Sequence, residues 1–308
     1  MKRVWLLLWL MGALFADLGP HLKPALNKGE GHSMRGIDFI YMINLDERPE
    51  KWQLSIDQLG RYGIIPYRFS AVNGWTLSLE AINEVGLNFS PLMEGGFMGT
   101  SYPLDGDFTP SHEIIEHYGQ TYFCHCMARG TIGIVLSHLS VLRDAYDSGY
   151  ETIWVMEDDI EVFRDPREIS GLIEELDRQV SDWDVLFTDR DIRDQNGVHR
   201  ATIWGARRPD YAGFFHENHF AENRQVGERF RKIGARYGAT SMIIRRSGMR
   251  KLLQFFYAHS VFLPYDLDYI YPRNIKLYTV LEDVVSNLAR ALSDNGSPSY
   301  LNKNGESR

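Results

Sequence analysis

Apolar residues along this chain fall into two patterns, short continuous runs of strand length and longer stretches with helical spacing. The run 37–45 (IDFIYMINL) predicts a buried strand. Asn44, Asp46 and Arg48 crowd its C-terminal end, and Pro49 opens a helical stretch to about residue 62. Residues 67–72 predict a second short strand ending in Asn73 and Gly74, so the chain opens as a β-α-β unit, which requires a parallel pair. Between Gly130 and Gly149, the stretch 131–146 (TIGIVLSHLSVLRDAY) carries apolar residues at helical spacing. A strand over 152–156 (TIWVM) then stops abruptly in Glu157, Asp158 and Asp159. A helix over 166–180 leads to a strand over 183–188, closed by Asp189, Arg190 and Asp191. Strand-like 237–245, a helix over 247–258 and a last strand over 277–281 complete the pattern. This alternation predicts an α/β domain with a mostly parallel sheet flanked by helices. Two stretches show no sustained period. Residues 86–126 read as a long loop region or small insertion over the sheet, and 195–236 as excursions at its active-site end.

The N-terminus follows a different logic. Lys2 and Arg3 precede an apolar run over 4–15, and Ala13 and Ala16 offer small residues for cleavage before Asp17. Residues 1–16 therefore read as an export signal, which places the protein in the periplasm, a lumen or outside the cell. An anchor made of the same segment is the alternative, although the run falls short of the roughly 20 residues that span a bilayer. Residues 17–36 read as a linker, 37–294 as a single domain and 295–308 as a polar tail, with no transmembrane segment after the signal. A net charge of -8 and the lack of any run of five basic residues argue against a nucleic-acid partner. Cys124 and Cys126 are the only cysteines, so the chain is no disulfide scaffold, and two free thiols are expected. A zinc site with His112 and His117 is the sharper alternative, but the spacing matches no common finger.

The densest chemical signal is Glu157, Asp158 and Asp159 at the end of a buried strand, with Glu161 just beyond. Crowded like charges are costly unless a cation relieves them. Ligands of open α/β sheets sit at the carboxyl ends of the strands, so Glu157 and Asp159 are candidates to hold one hard divalent ion, Mn²⁺ or Mg²⁺. Taken alone, the triplet fits a solvated acidic turn equally well.

FIYMINLDERPEKW, GTIGIVLSH, VMEDDI, YGATSMIIRRSG and PYDLD, in that order, resemble segments of glycosyltransferase family 25, which includes lipooligosaccharide and collagen galactosyltransferases. FIYMINLDERPEKW resembles its opening strand and loop, and GTIGIVLSH (130–138) its glycine and serine-histidine helix. VMEDDI resembles its acidic motif, YGATSMIIRRSG (237–248) a later strand and helix, and PYDLD (264–268) its proline-x-aspartate segment. The matches extend from residue 37 to about 286. One departure is Ile134, where cysteine is common. An export signal also fits collagen-modifying members better than bacterial ones, which meet nucleotide sugars in the cytoplasm.

The resemblance implies a GT-A-like Rossmann-type fold with long active-site loops, acting on a nucleotide-sugar donor, UDP-galactose foremost. The acceptor would be a hydroxyl of a glycan, a lipooligosaccharide or a glycoprotein. It implies Glu157 and Asp159 as metal ligands, with Asp158 near the donor sugar or ribose. Asn44, Asp46, Arg48 and Asp189 join Asp158 as donor-binding candidates, although Arg48 could equally be a surface arginine paired with Glu50. An inverting displacement needs one carboxylate base. Asp266 is the leading candidate, with Asp268 and Asp189 as substitutes. His138 reads as support behind the acidic strand end. The alternative is an exported carbohydrate-binding or virulence module that keeps the fold without turnover.

Overall fold

The computed structural model describes residues 18–202, 205–211 and 219–295. The export signal expected over 1–16 lies outside the described residues, as does the tail beyond 295. In chain order, β1 (Phe39–Asn44), α1 (Pro49–Gly60) and β2 (Tyr67–Ser70) form the opening unit. They are followed by α2 (Leu79–Val85), β3 (Leu87–Asn88), β4 (Met98–Ser101), β5 (Ser111–Ile114) and β6 (Thr121–Cys124). Next come α3 (Arg129–Asp147), β7 (Thr152–Glu157), β8 (Ile160–Val162), α4 (Glu168–Gln179) and β9 (Val185–Phe187). The last third holds β10 (Asn223–Val226), β11 (Phe230–Ile233), β12 (Ser241–Arg245), α5 (Arg246–His259), α6 (Tyr265–Asp268), β13 (Leu277–Val280) and β14 (Val285–Asn287).

The main sheet has eight strands in the order β10-β11-β13-β9-β12-β7-β1-β2. Its pairs β1–β2, β1–β7 and β9–β13 are parallel, and only β11 and β12 run against the rest. This is the mostly parallel, helix-flanked, GT-A-like arrangement expected. The strands β1 and β7 are apolar on both faces because the sheet is covered on both. Phe39, Tyr41 and Ile43 of β1, with Ile153 and Val155 of β7, join one core with α3 and α5. Their neighbours Ile40, Met42, Trp154 and Met156 point to the other core, with Ile169, Leu172, Ile173 and Leu176 of α4. One residue of register slip would exchange these two sets, so the pairing is strongly specified.

The aperiodic stretch 86–126 folds into a small antiparallel sheet of order β3-β6-β4-β5, and 195–236 contains the β10–β11 hairpin at the edge of the main sheet. The expected linker has little regular structure but is tied to the domain. Leu18 is buried in the first core, Lys23 Nζ donates to Ser70 and Ala71, and Lys28 Nζ pairs with Asp144. Among the described residues, no helix is long and apolar enough to cross a membrane.

Candidate active site

The carboxyl end of β7 lies at the middle of the sheet, between β1 and β12. Beyond Glu157 the chain leaves the sheet, because β8 pairs with β14 instead. Three backbone contacts fix the acidic corner. Glu157 N donates to Thr240 O at 2.9 Å, Ser55 Oγ to Asp158 O at 2.7 Å, and Leu288 N to Asp159 O at 2.7 Å. The triplet is therefore held in place rather than left as a free turn.

Its three carboxylates are treated differently. Asp158 Oδ2 accepts from Asn44 Nδ2 at 2.6 Å, and Asn44 in turn accepts from Arg68 Nε at 2.8 Å. Glu157 Oε1 lies 3.1 Å from His138 Nε2. Asp159 Oδ1 is buried and has no hydrogen-bond partner among the described residues. Burial raises the Asp159 carboxyl to about 7, with the charges of Glu157 and Asp158 adding to it. Burial also raises Asp158 to about 6, although Lys51 and Asn44 oppose the shift. An oriented, unpartnered carboxylate oxygen beside a second carboxylate suits a hard divalent cation. Among the described residues, no group of three or more His, Cys, Asp or Glu side chains gathers to hold a metal. A cation at Glu157 and Asp159 would thus take its other ligands from water and substrate.

Two clefts meet at this corner. The first is lined by all three carboxylates together with Lys51, Trp75, His138 and Asp294. The second is lined by Glu157 and Asp159 together with Gly238, Tyr265 and Asp266. Asp266 Oδ2 accepts from Gly238 N at 3.0 Å, and burial raises its carboxyl, as does the charge of Glu157. Gly238 has φ +80, and a Cβ there would lie 2.9 Å from Ile192 Cδ1, so this donor position requires glycine. Tyr265 stacks on His138 with centroids 4.1 Å apart, and its buried hydroxyl has no partner among the described residues.

The motif glycines of α3 have a packing role. A Cβ on Gly133 would come within 2.5 Å of both Gly74 N and Val72 O, so the helix lies directly against the loop after β2. Ser137 seals that contact by accepting from Val72 N at 2.8 Å. This close approach carries His138 to the strand end.

Not every candidate faces the clefts. Asn44 and Arg48 stand behind the first one. Arg48 pairs with Glu50 but is buried rather than on the surface, and it also pairs with Asp294. Exposed Asp46 accepts from Ser70 Oγ at 2.7 Å and lines neither cleft. Asp189 is sealed beneath the site, with Arg236 at 2.6 Å and Ser286 Oγ at 2.8 Å. Asp268 is fully buried with both oxygens 2.6 Å from Arg208 Nη1, so only Asp266 of the three base candidates reaches a cleft. The sequence reading missed Lys51, Trp75 and Asp294. Lys51 Nζ lies 3.1 Å from Asp294, and Trp75 Nε1 donates to Asp294 O at 3.0 Å. Lys51 lies within the opening motif, three residues past Arg48, and was within reach. No local signal places Asp294 there, since it meets Arg48, Lys51 and Trp75 from more than 200 residues along the chain.

The chain is similar to several known proteins. Procollagen galactosyltransferase 1 of Danio rerio is 25% identical over 157 residues, 50% of this chain and 22% of that protein. A glycosyltransferase 25 family member of Aedes aegypti is 26% identical over 173 residues, 55% of this chain and 23% of its own. The inactive glycosyltransferase 25 family member 3 of Homo sapiens is 23% identical over 156 residues, 50% of this chain and 22% of its own. The match spans less than a quarter of each of these longer relatives. The family model described as glycosyltransferase family 25 (LPS biosynthesis protein) matches residues 37–270, which takes in the acidic corner, both clefts' central residues and Asp266, and the chain belongs to that family.

Proposed function

We propose that this chain is an inverting, metal-dependent glycosyltransferase. It moves a hexose, galactose foremost, from a UDP donor to a hydroxyl of a glycan, lipooligosaccharide or protein acceptor. The observation that carries this reading is the buried Asp159 Oδ1, unpartnered among the described residues, beside Glu157 where the two clefts meet. Glu157 and Asp159 hold Mn²⁺ or Mg²⁺, and His138 orients Glu157 from behind. The bound ion supplies Lewis acidity that offsets charge on the departing nucleoside diphosphate. Donor binds in the first cleft, where Trp75 offers an aromatic wall and Lys51 a positive charge. The acceptor hydroxyl enters the second cleft and gives its proton to Asp266, whose raised carboxyl is a better base than an ordinary aspartate. The export signal read in residues 1–16 places this enzyme in the periplasm, a lumen or outside the cell.

A second reading is a carbohydrate-binding module without turnover, favoured by the similarity to the human protein called inactive. Donor hydrolysis and transfer across UDP-sugars, with Mn²⁺, with Ca²⁺ and in excess chelator, separates the two. The enzyme reading expects turnover that chelation abolishes and Mn²⁺ restores better than Ca²⁺. Full turnover in excess chelator would overturn the metal assignment, and donor binding without hydrolysis or transfer would favour the module.

A further inference from the structure

The two cysteines stand outside the proposed chemistry, and their placement is specific. Cys124 ends β6, and its N donates to Phe262 O at 3.0 Å. The chain then turns sharply, with Met127 N donating back to Cys124 O at 3.0 Å. This turn brings Cys126 Sγ to 2.8 Å from Cys124 Sγ, so no atom separates the two sulfurs. Cys124 is buried and Cys126 is exposed.

We propose that Cys124 and Cys126 are a reversible thiol–disulfide pair, oxidised by a small-molecule disulfide of the glutathione class. The exposed Cys126 Sγ attacks one sulfur of the oxidant as the thiolate, forming a mixed disulfide and releasing the first glutathione thiol. Buried Cys124 Sγ then attacks the Cys126 sulfur, breaking the Cys126–glutathione bond and releasing the second. The pair gives up two electrons and two protons, which end on the two glutathione thiols. The asymmetry of exposure assigns these roles, since only one sulfur can meet an oxidant and the other already touches it. The Cys126 thiol is also pushed down to about 7 by the hydrogen bond with Cys124, which favours the attacking thiolate. The same hydrogen bond and burial push Cys124 up, which keeps it protonated until the mixed disulfide forms.

The zinc alternative finds no support, because neither His112 nor His117 joins the sulfurs in a metal-binding group among the described residues. The pair is near the clefts. Cys126 borders a third cavity with Arg129 and Trp75, and Trp75 also lines the first cleft. A bond across one intervening residue closes a small, strained ring, so the disulfide is readily reduced.

The test is exposure of the full chain to excess oxidised glutathione, followed by intact mass and alkylation after unfolding. The expected product lacks two hydrogens, has lost both alkylatable thiols together, shows no interchain bond on a non-reducing gel and regains both thiols in dithiothreitol. Cys124→Ser should instead retain one glutathione on Cys126. A wild-type chain that keeps one glutathione as its stable product, or that still alkylates at both cysteines, would overturn the proposal.

Discussion

Two sets of acidic side chains in this fold, the buried Asp189 and Asp268 and the half-buried triplet at the end of β7, are balanced in opposite ways. Asp189 and Asp268 each face a buried arginine, Arg236 and Arg208, within 2.6 Å. At the end of β7 the crowding is greater, yet no arginine reaches Glu157, Asp158 or Asp159 among the described residues, and Asp159 keeps one oxygen unpartnered. Buried charge that the fold itself neutralises is a packing device. Buried charge left over, at the junction of two clefts, marks a place where something from outside completes the balance. The contrast supports reading Asp189 and Asp268 as parts of the fold and Asp159 as part of the proposed metal site.

The sharpest way to break it is substitution at Asp159. Asp159→Ala removes one of the two proposed metal ligands, so metal-dependent donor hydrolysis and sugar transfer should both fall to background in a radiolabelled UDP-sugar assay. Retained turnover would move the site elsewhere. The next largest effect belongs to Asp266, which in the proposed mechanism acts only on the acceptor. Asp266→Asn should reduce transfer by about 10² to 10⁴, the usual worth of a general base, while UDP affinity by calorimetry stays unchanged.

Stability should divide the same residues the other way. Asp268→Ala removes the bidentate partner of the buried Arg208 guanidinium, leaving it Asp210 and backbone carbonyls, and should cost about 3 kcal/mol in chemical denaturation. Asp159→Asn should cost nothing and raise the melting temperature of metal-free protein, because it removes a buried unbalanced charge. Equal destabilisation by both would erase the distinction.

The same imbalance should also appear as a pH slope. The folded Asp159 carboxyl sits at about 7 against 3.8 unfolded, and Asp158 at about 6. Between these values the folded chain holds more protons than the unfolded one, so stability falls as pH rises. Metal-free protein should lose stability from about pH 4 to pH 7, and Asp159→Asn should flatten the upper part of that slope. Thermal melts across this window in chelator check the sign.

Much of this was legible in the sequence, for a physical reason. The strands β1 and β7 read clearly because both faces are buried, which forces continuous apolar runs, and a triplet of acids after such a run is visible without a structure. Elements defined by distant pairing were not legible. The β8–β14 pair and the small sheet of β3 to β6 have short, half-exposed strands with no clear period. Within the site, the proline-x-aspartate match put Asp266 ahead of Asp268, two residues apart on the same short helix, but left Asp268 as a substitute. Packing separates them, since Arg208 meets one and the cleft opens beside the other. Asp294 was out of reach altogether, because its role depends on the chain end returning to Arg48 and Lys51.

The most direct test of the central claim is calorimetric titration of UDP into the full chain, with Mn²⁺ and with chelator, for the wild type and Asp159→Ala. The account predicts that the wild type binds UDP only when Mn²⁺ is present. It predicts that the variant, folded by circular dichroism, binds under neither condition. UDP binding of equal strength in both proteins, or in the wild type without any divalent ion, would contradict it.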